Sequence, residues 1–340
     1  MAVPNDTITP TFFVSSSIYI PPLLLDFFMV FNLLIFGEIV GVLGIVGNII
    51  NIIVFYKQGL KDSVNISLAA LALSDIGSLM SLQIINVMLN PWFISASQIV
   101  RAYDFVIMVA FYPHNYFIRV CGFITAFVSL ERCLCVVAPL KVKRIMTPRV
   151  AVVVNVLIFT VTLLDMFPVY YTAYLDWKFY PGLNRTMVGM VFRQNPYLVY
   201  AASYIITDLF IPYFTFFVII TSTVIIGIRL SNRALWRQSV SKVTKADNVS
   251  TKEKKVVVML VTVTLIFIVC LLPQSAFLTA TSFVPGLVFF GTNSDLSFLC
   301  YCMCYLTETV SSSVNIVVYY RMSGRYRETL VSVPGFRRSK

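Results

Sequence analysis

The sequence is poor in charged residues, in histidine and in the motifs of enzymes. Only 12% of its 340 residues are charged, while 58% are hydrophobic. Water-soluble domains carry about 25% charged residues, so this composition excludes a domain that faces water on all sides. The single histidine, His114, and the lack of a phosphate-binding loop or metal-ligating cluster leave little from which to build a catalytic centre. We therefore expect no enzyme activity.

Long hydrophobic runs occupy most of the chain. A helix needs about 20 apolar residues to cross the roughly 30 Å hydrocarbon core of a membrane. The runs that reach this length are 30–56, 65–89, 102–137, 150–171, 197–230, 255–284 and 296–320. They predict an all-α integral membrane protein with a seven-transmembrane helix bundle over 30–320. Residues 1–29 would form an extracellular N-terminus and residues 321–340 a cytoplasmic tail.

The tail begins with the pattern of a short amphipathic helix. Gly324, Tyr326, Leu330 and Val333 would direct one apolar face towards membrane lipid, and the basic residues beside them would meet the headgroups. We therefore expect a short C-terminal helix lying on the inner membrane surface.

Basic residues are distributed unevenly along the chain. The net charge is +11, yet with the N-terminus outside, all but five of the 26 Lys and Arg residues lie in inner loops or the tail. This asymmetry is typical of multi-pass membrane proteins and argues against nucleic acid as the partner. It predicts a plasma-membrane protein with an extracellular N-terminus. The sequons at Asn5 and Asn184 then lie outside and are candidate glycosylation sites.

Polar residues inside the hydrophobic runs indicate function. Each membrane-centre charge costs about 2.5–3.5 kcal/mol on insertion scales and therefore needs a partner or a purpose. Polar or helix-breaking residues occur once in nearly every run, the fourth excepted: Asn48, Asp75, Arg132, Pro212, Pro273, and Asn315 with Tyr319.

These residues lie in segments that resemble the motifs of rhodopsin-like (class A) G-protein-coupled receptors over nearly the whole chain. The similar segments, in order, are Gly47-Asn48, Leu71-Ala72-Leu73-Ser74-Asp75, Glu131-Arg132-Cys133, Pro212, Cys270-Leu271-Leu272-Pro273 and Asn315-Ile316-Val317-Val318-Tyr319. The segment Ser129–Lys143 also resembles invertebrate chemosensory receptors of the gastropod type. The resemblance implies a receptor for an extracellular chemosensory small molecule, amine or peptide that activates a heterotrimeric G protein.

The resemblance assigns the G-protein end of the bundle to Glu131, Arg132, Glu253 and Tyr319. Glu253 precedes Pro273 by 20 residues, about 30 Å along a helix, so it lies at the inner end of the sixth span. An ion pair between Arg132 and Glu253 would hold the G-protein cleft closed, with Glu131 as the competing partner. The alternative is that these residues are interfacial charges only.

A polar cluster is expected at the centre of the bundle. Asp75 and Asn315 should face each other near Asn48, which in the family is a sodium site. Cys121 takes a place usually held by serine. A bound sodium ion and a protonated Asp75 in a water network both satisfy the pattern, and no other cofactor is indicated.

A ligand pocket is expected in the outer half. His114 lies five helical turns before Arg132, and Glu308 lies two turns before Asn315, so both point inward. We expect Glu308 and Asp208 to meet a cationic group on the ligand. The complete candidate set is His114, Asp208 and Glu308 with aromatic walls from Tyr204, Phe277 and Tyr305. The alternative is a set of internal ion pairs, such as Arg119 with Asp208 or Asp165, that holds the helices in register.

Several departures from the family pattern qualify these expectations. Residues 172–195 contain no cysteine, so the usual disulfide to the third span cannot form. Leu271, Ile316 and Ile220 replace a tryptophan, a proline and a tyrosine. A receptor-like protein that no longer signals therefore remains an alternative.

Two other classes of membrane protein are less consistent with the sequence. A transporter would show internal repeats and paired broken helices, neither of which is evident. A light sensor needs a lysine in the seventh span, and none lies between Lys255 and Lys340.

Overall fold

The computed structural model describes residues 19–193, 197–240, 247–287 and 291–333. Seven long helices form a bundle within these residues, which confirms the predicted fold. They are α1 Pro22–Gln58, α2 Ser63–Met88, α3 Ala102–Val137, α4 Pro148–Thr172, α5 at 197–240, α6 Asp247–Phe283 and α7 Ser294–Met322. A short eighth helix, α8, covers Gly324–Val331 and agrees with the expected amphipathic segment.

Local signals in the sequence set the helix ends. The Asp62 carboxylate accepts a hydrogen bond from the Val64 amide at the start of α2, and Thr147 caps α4, which has Pro148 in its first turn. Side-chain oxygens at this position satisfy amides that the helix leaves free. α1 ends at Gln58 and is followed by Gly59, whose positive φ of 96° is costly for residues with a Cβ atom.

The observed helices are longer than predicted at several ends. α1 begins at Pro22, so residues 22–29 are helical although the sequence placed them in the N-terminal segment. α5 extends to residue 240 at its C-terminal end, and α6 already begins at Asp247. Six of the long helices have both the length and the apolar composition to cross a membrane; α7 is more polar, because Glu308, Asn315 and several serines lie along it.

The helices bury their polar residues against one another and expose apolar ones. The largest buried cluster joins α2, α3, α6 and α7 through residues such as Leu71, Ile124, Phe267 and Val318. The outer surface carries exposed residues such as Phe217, as expected for a bundle whose solvent is lipid.

The connection between α4 and α5 is a β-hairpin, which the all-α prediction missed. Strand β1 (Ala173–Tyr180) pairs antiparallel with β2 (Arg185–Phe192), and the turn uses Asn184 in the left-handed conformation. We call the end of the bundle that carries this structure the hairpin end and the opposite end the α8 end.

Candidate functional site

A cavity of about 190 Å³ opens between α3, α4, α5, α6 and α7 at the hairpin end. Its charged lining residues are Arg119, Asp165 and Asp208, and its aromatic ones are Phe111, Tyr112, Tyr204 and Tyr301. Two π-helical segments contribute to it. The segment Ile107–Phe111 in α3 ends with Phe111, which lines the cavity. The segment Ile205–Phe210 in α5 carries Asp208. Such local widenings of a helix often occur at functional sites.

The charges in this cavity are arranged around Arg119. Its Nη1 lies 3.4 Å from Asp208 Oδ1, and its Nε lies 3.8 Å from Asp165 Oδ2. Thr207 donates a further hydrogen bond of 3.0 Å to the other oxygen of Asp208. The internal ion pairs expected as the alternative are therefore present, and Asp208 is partnered although it lines the cavity.

His114 and Glu308 pair with each other and do not line the cavity. His114 Nε2 lies 2.6 Å from Glu308 Oε2, and both side chains are fully buried. The other ring nitrogen lies 3.2 Å from the Ser78 hydroxyl, so the group joins α3, α7 and α2. The expectation that Glu308 offers a free carboxylate to a ligand is thus corrected, because the two inward-facing side chains of α3 and α7 meet.

The predicted aromatic residues occupy different positions around the cavity. Tyr204 lines it, and its hydroxyl donates a 2.5 Å hydrogen bond to the Leu278 carbonyl. Phe277 and Tyr305 lie behind the wall, where they contact the ring of Tyr301 at 4.9 and 6.1 Å between centroids. Tyr301 was missed from the sequence, although it precedes Glu308 by two helical turns on the same face.

A clasp of hydrogen bonds fixes the hairpin to the start of α3. Asp104 Oδ2 accepts hydrogen bonds from the Tyr180 hydroxyl at 2.5 Å and from the Met190 amide at 3.1 Å. The Arg101 guanidinium lies 5.5 Å above the Tyr180 ring. A Cβ atom at Gly189 would lie 1.7 Å from the Tyr180 hydroxyl, so this close approach requires glycine. The clasp thus joins the start of α3 to the connection between α4 and α5.

The centre of the bundle contains the expected pair of Asp75 and Asn315. Asn315 Nδ2 donates a 2.8 Å hydrogen bond to Asp75 Oδ2, and the Cys121 thiol lies 3.4 Å from Oδ1. A cavity of about 10 Å³ beside them is lined also by Ser311 and Ser312. Asn48 does not line it; its amide instead donates a 2.7 Å hydrogen bond to the Ser312 carbonyl.

A second large cavity, of about 110 Å³, lies at the α8 end and includes Arg132 and Tyr319 in its wall. Arg132 Nη2 contacts Glu131 Oε1 at 3.0 Å, and the same oxygen accepts a hydrogen bond from the Ser63 hydroxyl. The expected competing pair between Arg132 and Glu131 is therefore formed. The side chain of Glu253 lies outside the described residues.

Tyr319 is buried beneath α8. Its ring packs edge-on against Phe55 at 5.3 Å between centroids and in a tilted arrangement against Tyr326 at 5.8 Å. The Tyr326 hydroxyl donates a 2.6 Å hydrogen bond to Asn51. These contacts link α1, α7 and α8. A change in the position of α7 would therefore also disturb α8.

The two sequons differ in what can be described. Asn184 is exposed in the turn of the hairpin. Asn5 lies outside the described residues.

The sequence matches one known family. The family model described as 7 transmembrane receptor (rhodopsin family) matches residues 47–319, which covers most of the chain. No curated protein matches the chain significantly.

Proposed function

Because the chain belongs to the rhodopsin family of seven-transmembrane receptors, we propose that it binds a small ligand in the hairpin-end cavity and activates a heterotrimeric G protein at the α8 end. It is a multi-pass membrane protein of a family of signalling receptors. One observation carries it: α3 lines a cavity at each end of the bundle, through Arg119 and Arg132.

The charge distribution supports an extracellular hairpin end. Loops at the α8 end carry most of the basic residues, as cytoplasmic loops do. The cavity at the hairpin end would then open to ligands outside the cell, and Arg132 would face the cytoplasm. A plasma-membrane location follows from this role as a receptor for external signals.

Arg132 is the residue through which a G protein would be recognised. In the structure its charge is held by Glu131, and Glu253 is proposed as a second partner at the end of α6. The Arg132 side chain is 17% exposed and lines the α8-end cavity, whereas that of Glu131 is buried, so contacts with a G protein would compete with Glu131 for the guanidinium. Movement of α7 would also alter the α8-end cavity, because Tyr319 lines it together with Arg132.

The small central cavity is proposed to hold one sodium ion or one water molecule. The Asp75 carboxylate and the Ser311 and Ser312 hydroxyls supply oxygen donors, which hard cations prefer. The Cys121 thiol is a poor donor for such a cation. If sodium is the occupant, replacing potassium by sodium at constant ionic strength should raise the thermal midpoint of the wild type and not that of Asp75→Asn. Equal midpoints in the two salts would favour water.

Nucleotide exchange tests the proposed function without a known ligand. The receptor would be reconstituted with a panel of Gα subunits, and basal exchange would be compared for wild type, Arg132→Ala and Arg149→Ala. Arg149 is exposed at the start of α4 and serves as the control for loss of one positive charge. We expect Arg132→Ala to reduce exchange and Arg149→Ala to leave it near wild type. If the wild type promotes exchange on no Gα, a receptor-like protein without signalling is favoured, as the replacements at Leu271 and Ile316 also allow.

A further inference from the structure

We propose that the ligand of the hairpin-end cavity is a compact organic amine, whose single positive charge lies between the carboxylates of Asp165 and Asp208. This inference rests on the proposed function, since it names the ligand class of the same site. It differs from the expectation based on sequence, because Glu308 is paired with His114 and the second carboxylate comes from α4 instead.

The charge balance of the cavity favours a cation. With all three groups ionised, Arg119 contributes one positive charge and Asp165 and Asp208 two negative charges among the described lining residues, which leaves one net negative charge. An uncompensated charge in a membrane-embedded site is costly. A ligand with one positive charge would balance it, whereas an anion would raise the net negative charge to two.

Exposure of the three charged groups points in the same direction. The side chains of Asp165 and Asp208 are 21% and 24% exposed, whereas that of Arg119 is only 9% exposed. A ligand that enters the cavity therefore meets carboxylate oxygens more readily than the guanidinium. To bind an anion, Arg119 would first have to leave two acidic partners.

The geometry around Arg119 leaves acceptor capacity for the ligand. Its contacts with Asp165 and Asp208 are long, at 3.8 and 3.4 Å, and its Nε makes no hydrogen bond among the described residues. Charge-assisted hydrogen bonds are commonly 2.7–2.9 Å, so neither carboxylate is fully engaged. An ammonium group carries three donors and could bond to both.

The aromatic lining of the cavity also suits an ammonium group. Rings of Tyr112, Tyr204 and Tyr301 border the cavity on α3, α5 and α7. A cation within about 6 Å of such rings is attracted by their negative faces. The volume of about 190 Å³ is below the roughly 300–1,000 Å³ of sites for drug-sized ligands, so the amine must be compact.

Three phenols of similar size and different charge test the proposal. The purified receptor would be titrated with tyramine, 4-ethylphenol and 3-(4-hydroxyphenyl)propionate, which are cationic, neutral and anionic, respectively. Saturation-transfer NMR would detect even weak binding, with Kd values on the order of 10 mM. We expect tyramine to bind at least tenfold more tightly than the other two compounds.

Variants identify the groups responsible. Asp165→Asn and Asp208→Asn should each weaken tyramine binding about tenfold or more, whereas Asp208→Glu, which keeps the charge, should retain most of it. Asp295→Asn is the matched control, because it removes an exposed carboxylate from the start of α7 outside the cavity. Folding of each variant would be checked by thiol accessibility on heating, since several cysteines are buried.

Three results would overturn the proposal: no binding by tyramine, preferential binding of the anion, or tyramine binding that both Asp→Asn variants leave unchanged. Nucleotide exchange on the same preparations separates this inference from the proposed function. A receptor that promotes exchange but prefers the anion refutes the amine alone. Selective amine binding without exchange on any Gα supports the amine and refutes G-protein activation.

Discussion

Replacement of Asp104 should release the β-hairpin from α3 without unfolding the bundle. Asp104 accepts two hydrogen bonds through one carboxylate oxygen, from the Tyr180 hydroxyl and the Met190 amide. Hydrogen bonds to a charged group contribute about 1.5–3 kcal/mol each. Because Asp104 is only partly buried and both bonds share one oxygen, we expect less than the sum of two such bonds, about 2–3 kcal/mol in total for Asp104→Ala.

Amide hydrogen exchange of the hairpin measures this change. Local opening controls exchange where segments open independently of the whole fold, and about 1.4 kcal/mol corresponds to a tenfold change in the opening equilibrium. Protection of the amides in Arg185–Phe192 should therefore fall by about 30- to 150-fold. Amides in the centre of α3 should exchange at the wild-type rate.

A matched variant and a double-mutant cycle sharpen the test. Asp176→Ala removes an exposed carboxylate in the same hairpin whose hydrogen bond is to the adjacent Trp177 amide, so protection should hardly change. Gly189→Ala should disturb the clasp through the Tyr180 hydroxyl, and its cost should be smaller once Asp104 is already alanine. Equal protection in Asp104→Ala and wild type would refute the clasp, as would fully additive effects of Asp104→Ala and Gly189→Ala.

The buried pair between α3 and α7, the Tyr180 hydroxyl and the Asn184 sequon each allow a further test. His114→Ala leaves Glu308 buried without its partner and should lower the free energy of unfolding by about 3–5 kcal/mol, measured as a reduced thermal midpoint. Glu308→Gln keeps a hydrogen-bonding group and should lose less stability. Equal losses in the two variants would contradict the role of the pair. Burial and the nearby Asp104 raise the pKa of Tyr180 to about 12 from its usual value of about 10, so its stabilising contribution is complete below pH 10 and disappears as the pH rises through 12. Hairpin amides should lose protection over that range in the wild type, and Tyr180→Phe should remove this pH dependence; its persistence would argue against Tyr180. Eukaryotic cells should attach a glycan at Asn184, so Asn184→Gln should migrate faster than the wild type on gel electrophoresis. Equal migration would indicate that the hairpin faces the cytoplasm.

Helical spacing explains which contacts were predictable. The contact between Asp75 and Asn315 was expected from the resemblance, because both residues lie in segments similar to family motifs. Helical spacing from Arg132 and Asn315 then placed His114 and Glu308 on inward faces. It could not show that these two side chains meet each other, since that depends on the rotation and separation of α3 and α7.

The hairpin shows a second limit of prediction from the sequence. Two eight-residue strands flank the turn Pro181–Leu183 and Asn184, and such a pattern is a hairpin signal that was overlooked. The clasp itself was not predictable from local sequence. Asp104 and Tyr180 are separated by 76 positions in the chain, so their meeting depends on where the folded hairpin comes to lie over α3.

Prediction of the cavity at the hairpin end required both local and long-range information. Arg119, Asp165 and Asp208 were recognised as charges at this depth, and their pairing was one of two alternatives. Which carboxylates face the cavity was decided only by packing. Tyr112 could have been found from its spacing, since it lies seven residues, about two helical turns, before Arg119.

The most direct test of the account is whether a G protein bound at the α8 end alters the hairpin-end cavity, because coupling between two binding sites is reciprocal. Hydrogen exchange of the reconstituted receptor would be compared with and without nucleotide-free G protein, in wild type and in Arg132→Ala. The account predicts changed protection in peptides that contain Tyr112–Arg119 and Ser203–Asp208 for the wild type, and no such change for Arg132→Ala. If the G protein binds and protects the α8 end while exchange around Arg119 and Asp208 stays the same, the two cavities are not coupled and the proposed mechanism is wrong.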